Sequence, residues 1–121
     1  MIKKIATTAV YNEDQQKAKA FWTEKAGFKL VRETPMGPGG AWIEVAPEGA
    51  ESALVLYPRA MMKGWESMKA SIVFECDDIN ATYERMKAGG VNFESEPQKM
   101  QWGSFAQFYD EDGNAFLLKG N

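Results

Sequence analysis

The 121-residue chain contains no histidine. Imidazole is the usual general base near neutral pH and the commonest ligand for zinc and related ions. A Ser–His–Asp or Cys–His arrangement is therefore excluded, as is any metal site built on imidazole. Carboxylates, lysines, tyrosines and a thiol are left for acid–base work. Cysteine occurs once, which rules out a disulfide framework within the chain and a cysteine metal cluster. That residue, Cys76, ends the apolar run in "SIVFECDD", where a buried and inert thiol is expected. No run of about 18 apolar residues is present, so no membrane association is expected. The opening "MIKKIATTAV" is too short and polar for a secretory signal, which points to the cytoplasm. The net charge is −3 and the basic residues are scattered. No nucleic-acid partner is expected from such a surface.

What is present is an ordinary globular composition, 45% hydrophobic and 26% charged, enough for one domain or two small halves sharing a core. "KIATTAVY" reads as a strand. "NEDQQKAKAFWTEKAG" reads as a helix capped by Asn12 or Asp14, with Ala18, Phe21 and Trp22 as its apolar stripe and Gly27 as its stop. "FKLVRET", "AWIEVAP" and "SALVLYP" follow as strands, the first two joined by the open turn "PMGPGG". In "AWIEVAP", Ile43 and Val45 face one way and Trp42 and Glu44 the other. "RAMMKGWESMK" has no clean period and reads as a connector.

Beyond it the order repeats. "ASIVFEC" is a strand, "DINATYERMKAG" a helix, and "VNFES", "SFAQFYD" and "NAFLLKG" are strands, with a loop through Pro97. The chain is thus expected to be a single α+β domain over 1–121. Two tandem βαβββ modules, 1–60 and 69–121, are joined by 61–68 and form a curled mixed sheet around a cup. Two copies side by side can share apolar surfaces that one copy would leave open.

In that order, "KIATTAVYNEDQQKAKAFWTEKAGFKLV", "ASIVFECDDINATYERMKAGGV" and "FAQFYDEDGNAFLL" resemble the vicinal oxygen chelate superfamily. This is the group of glyoxalase I, the bleomycin resistance proteins and the extradiol dioxygenases. The turn at 110–114 is D-x-D-G-N, with Glu111 where proline is common in the family. Metal-dependent members hold their ion with four side chains, and the resemblance carries those positions to Thr7, Val55, Ser71 and Leu117. Positions 7 and 71, and 55 and 117, lie at nearly equal separations, as two related halves require. Valine and leucine offer no lone pair, and neutral hydroxyls are poor ligands for soft or borderline ions. Shifting any position by one residue restores no ligand set. The resemblance is therefore to a metal-free branch, with no metal and no cofactor expected.

From the carried positions, strand alternation puts Thr7, Ala9, Tyr11, Ala53, Val55 and Tyr57 on the cup face, joined by Ser71, Val73, Glu75, Ala115 and Leu117. Leu54, Leu56, Ile72, Phe74, Phe116 and Leu118 then face the helices, as does Cys76. Trp42 and Glu44 point into the cup if their strand follows the family.

Four tryptophans are present. Trp22 and Met86 are read as helix core. Trp42 is either a packed face or a ligand platform. Trp65 and Trp102 lie in irregular Gly-containing stretches, where large aromatics line pockets and interfaces or plug the end of a sheet. Met61, Met62, Met68 and Met100 offer adaptable apolar contact. Glu44 and Glu75 are either solvated or, beside aromatics, favour a cationic ligand.

The resemblance implies a homodimeric, metal-free protein that sequesters a small hydrophobic or aromatic molecule, as bleomycin resistance proteins do. The ligand-binding residues expected are Thr7, Tyr11, Trp42, Glu44, Val55, Tyr57, Trp65, Ser71, Glu75, Trp102 and Leu117. Two other functions fit the same residues. One is a metal-independent isomerase or lyase using Tyr57, Glu44, Glu75 or Cys76. The other is a structural or protein-interaction role with the cup filled by its own side chains.

Overall fold

Asp14 sets the start of the first helix. Its Oδ1 accepts hydrogen bonds from the backbone N–H groups of Gln16 and Lys17, both at 3.1 Å, satisfying two donors that a helix start leaves without partners. Of the two expected caps, Asp14 is the one used. In the computed structural model, which describes residues 1–101 and 103–121, α1 spans Gln15–Ala20 and passes into a π-helical turn, Phe21–Lys25. The pattern predicted one α-helix as far as Gly27. The wider turn lets the consecutive side chains of Phe21 and Trp22 both enter the core, where each is buried. Their rings meet edge to face at 5.2 Å, and Phe28 closes on Trp22 at 4.9 Å. Gly27, at φ +80°, ends the element in a left-handed conformation that costs glycine little.

The chain divides into two units, Met1–Ala70 and Ser71–Asn121. The linking residues 61–68 group with the first. In that unit β1 (Thr7–Asn12), β2 (Lys29–Pro35), β3 (Ala41–Ala46) and β4 (Ala53–Pro58) form a mixed sheet ordered β1-β4-β3-β2. β1 and β4 are parallel, while the other pairs are antiparallel. α1 packs on β3 and β4. The buried side of the sheet carries Val10, Ile43, Val45, Leu54 and Leu56, of which Ile43, Val45 and Leu56 are 0% exposed. Each such side chain contributes about 1.5–3 kcal/mol of burial. Glu33, on the same side of β2, holds Lys19 of α1 at 2.8 Å.

Gln15 ties this helix to the sheet. Its Nε2 donates to the carbonyls of Ala41 and Leu56, both at 2.6 Å, and its Oε1 accepts from the Ala41 N–H at 3.0 Å. Gly40 makes room for it: a Cβ there would stand 2.6 Å from Gln15 Oε1 and 2.9 Å from Pro58 Cγ.

The second unit repeats the plan with β5 (Val73–Glu75), α2 (Ile79–Ala88), β6 (Asn92–Phe93), β7 (Gln98–Met100), β8 (Gly103–Tyr109) and β9 (Ala115–Gly120). Its sheet is ordered β5-β9-β8-β6, and β7 pairs with β8. Asp78 Oδ1 caps α2 by accepting from Ala81 N–H at 3.1 Å. Ile79, Tyr83 and Met86 of α2 are buried, as are Phe108, Phe116 and Leu118 of the sheet. Phe108 and Phe116 stack at 5.5 Å, and Tyr83 meets Phe93 edge to face at 4.7 Å.

The strand expected over "ASIVFEC" is only Val73–Glu75, paired on one side with β9, so Ser71 lies outside it and is exposed. Ile72 and Phe74 are half-buried, and the Phe74 ring lies 6.2 Å from Phe108 and 6.0 Å from Phe116. The loop after Pro97 contains β7, whose alternating partners on β8 include Phe105 opposite Gln98. The connector forms two short 3-10 turns, Arg59–Met61 and Trp65–Ser67. No helix among the described residues is long and apolar enough to cross a membrane.

Replacing Gln15 by Leu is expected to lower stability by about 1–3 kcal/mol in urea unfolding, because buried backbone groups lose their partners. Gly40→Ala should destabilise through the same clamp. Wild-type midpoints for both variants would remove the clamp from the account.

Candidate functional site: the open sheet faces

Each sheet turns one side towards its helix, and the residues of opposite parity form the other side. In the first unit these fall into rows across the strands. Tyr11 lies opposite Tyr57, and Ile43 lies opposite Leu56, which brings Trp42 beside Tyr57. The rings meet edge to face, Tyr11–Tyr57 at 6.1 Å and Trp42–Tyr57 at 6.2 Å. All three are half-buried, so each retains surface to offer. The next row is Ala9, Val55, Glu44 and Arg32. Glu44 Oε2 accepts from Trp42 Nε1 at 2.6 Å, which fixes the indole against its own strand. Thr7 lies opposite Ala53 at the end of the same face. Val55 is only 3% exposed and forms the floor. Six of the expected residues, Thr7, Tyr11, Trp42, Glu44, Val55 and Tyr57, thus share one sheet face. A face of small residues rising to an aromatic row with a carboxylate beside it suits a flat ring system.

Trp65 belongs to the same unit. It lies in the second 3-10 turn, where the Arg59 guanidinium sits 4.1 Å from its ring centroid. That contact gives the indole a cation–π partner. Trp102 lies outside the described residues.

In the second unit, Val73 faces Leu117, and Leu117 faces Gln107 on the opposite flank. Glu75 and Phe105 flank Lys119 in the same way. Glu75 and Leu117 are therefore on one face, whereas Ser71 precedes the strand. The residues that sequence reading missed here are Gln107, Tyr109, Glu94 and Lys119. Gln107 Nε2 donates to Tyr109 Oη at 2.8 Å, and Tyr109 Oη donates to Glu94 Oε2. Their signal was the alternation of "FAQFY", where Gln107 and Tyr109 share the parity of Phe105.

The turn before β9 is structural. Asp110 Oδ1 accepts from the N–H groups of Asp112 and Asn114 at 3.0 and 2.9 Å, and its Oδ2 accepts from Asn114 Nδ2 at 2.8 Å. Burial nevertheless raises the Asp110 carboxyl above its ordinary value, against the hydrogen bonds from Asn114 and Asp112. Cys76 faces the α2 side, half-buried, with its Sγ 3.4 Å from the Lys119 carbonyl. A Cβ at Gly120 would come within 2.9 Å of that sulfur.

The residues at the family's metal positions do not fit an ion. Val55 and Leu117 have no donor atoms, and Thr7 and Ser71 present neutral hydroxyls. Among the described residues no three Cys, Asp or Glu side chains converge. No step through a metal is derived.

The hydrogen bond to Glu94 raises the Tyr109 phenol above its ordinary value, with Gln107 opposing. The folded state then holds this proton more tightly. The bond's contribution is complete below about pH 10, the ordinary tyrosine value, and is lost as pH rises through the raised one. A tyrosinate absorbance titration should show a late-ionising phenol in the wild type that moves earlier in Glu94→Ala. An identical titration in the wild type and in Glu94→Ala would contradict the bond.

A family model described as the Glyoxalase/Bleomycin resistance protein/Dioxygenase superfamily matches residues 4–118. The chain is 67% identical over 119 residues to "Uncharacterized protein YetH" of Bacillus subtilis (strain 168), covering 98% of this chain and 99% of that one. It is similar to the crystal structure of TnmS3, an antibiotic binding protein from Streptomyces sp. CB03234. The identity is 35%, the TM-score 0.84, and the coverage 98% and 96% of the two chains. A superfamily member from Sphaerobacter thermophilus DSM 20745 superposes with TM-score 0.88 at 26% identity, over 99% and 98% of the chains. With its repeated strand–helix–strands order and two mixed sheets, this chain belongs to the glyoxalase/bleomycin resistance protein/dioxygenase superfamily.

Proposed function

We propose that this protein binds a planar or aromatic small molecule on the open face of the first sheet and sequesters it without a metal or other cofactor. The observation that carries the reading is the row Tyr11–Tyr57–Trp42, three half-buried rings in which Tyr57 meets each of the other two edge to face. Edge-to-face packing leaves alternate ring faces open, and a flat ligand gains both burial and quadrupole contact there. Glu44 adds a carboxylate at the row's flank, which favours a cationic substituent. Thr7 and Val55 supply the small floor. Likeness to TnmS3, described as an antibiotic binding protein, supports the ligand class. The same reading takes the protein to act as a homodimer in the cytoplasm, and assigns Glu75 and Leu117 to binding through the second sheet.

The row's role can be read directly. A panel of aromatic antibiotics, screened by thermal shift, should contain compounds that raise the melting temperature through preferential binding to the native state. For those compounds Trp42→Ala should weaken affinity about tenfold, with Tyr57→Ala similar, from the loss of one aromatic contact and its buried area. A panel without any stabilising compound, or an unchanged affinity in both variants, would sink the reading.

A further inference from the structure

We propose that Gln107 is a recognition residue of the second sheet's open face. Its locked side-chain carbonyl accepts a hydrogen bond from a hydroxyl or N–H on a planar apolar molecule lying over Val73 and Leu117. This deepens the small-molecule binding proposed above and rests on it.

The lock follows from donor and acceptor inventories. An ionised carboxylate only accepts, so in the Tyr109–Glu94 bond the phenol must donate. Its lone pair is then what Gln107 meets at 2.8 Å, and only the NH₂ end of the amide can satisfy it. The chain Gln107→Tyr109→Glu94 therefore runs in one direction and leaves the Gln107 carbonyl pointing away from Tyr109. Register places Leu117 beside Gln107, and Val73 beyond it. Neither side chain has a hydrogen to offer. Among the described residues the Gln107 side chain makes the Tyr109 bond alone. Val73 is 52% exposed and Leu117 half-buried, which supplies an apolar strip next to the carbonyl. A ligand hydroxyl there gains a partner, whereas an ether oxygen meets a lone pair.

The test uses a naphthol and its methyl ether as probes, with binding followed through backbone and side-chain amide shifts at neutral pH. In the wild type the naphthol should bind about tenfold more tightly than the ether and shift the Gln107 side-chain amide. Gln107→Leu should abolish that preference while keeping affinity for the ether. Tyr109→Phe, which releases the amide to rotate, should reduce the preference without altering affinity for the ether. Equal affinity for the two probes in the wild type, or an unchanged preference in Gln107→Leu, overturns this inference and leaves binding on the first sheet standing. Binding of neither probe anywhere on the protein overturns both.

Discussion

The placement of the aromatic row depends on one side-chain amide. Gln15 grips Ala41 through both its backbone groups and Leu56 through its carbonyl. The residues next in the chain are Trp42 and Tyr57, which project to the opposite side. Holding Ala41 against Leu56 from the helix side therefore sets indole against phenol on the other. The amide supplies a partner to three partly buried backbone groups, and a hydrogen bond of this kind contributes about 0.5–1.5 kcal/mol. Gly40 and the Asp14 cap are consequences of that geometry. One leaves room for the amide, and the other starts the helix one residue before it.

The two units show how one plan carries different chemistry. Both bury an aliphatic or aromatic side of a mixed sheet beneath a short capped helix. On the first open face, rings contact rings and the Glu44 carboxylate of the next row holds an indole. On the second, an amide, a phenol and a carboxylate form a directed hydrogen-bond chain beside aliphatic side chains. At two of the positions that the resemblance carries over from metal-dependent members, this chain has valine and leucine, which offer no lone pair.

Much of this was legible in the sequence because parity is a hard constraint. Once a strand is placed, its alternate residues must part, and the separation of Trp42 and Glu44 from Ile43 and Val45 followed at once. The repeat gave the order of elements in the same way. Irregular features were not legible. The π turn arises because Phe21 and Trp22 compete for the same core, a tertiary demand that local helix signals do not encode. β5 shortened to Val73–Glu75, which removed Ser71 from its expected face. Gln107, Tyr109 and Glu94 went unseen because their link crosses strands, and Glu94 lies well before the other two in the chain. Trp65, singled out for its irregular Gly-containing stretch, has the Arg59 guanidinium against its ring, a contact between loop side chains that no strand parity encodes.

The most direct measurement is a native mass spectrum of protein prepared without added metal or chelator and incubated with mixed aromatic antibiotics. The account predicts a noncovalent organic adduct below roughly a kilodalton, within the range of drug-sized ligands, that disappears in Trp42→Ala. No adduct, or a metal ion bound to each chain and retained through desalting, would contradict it.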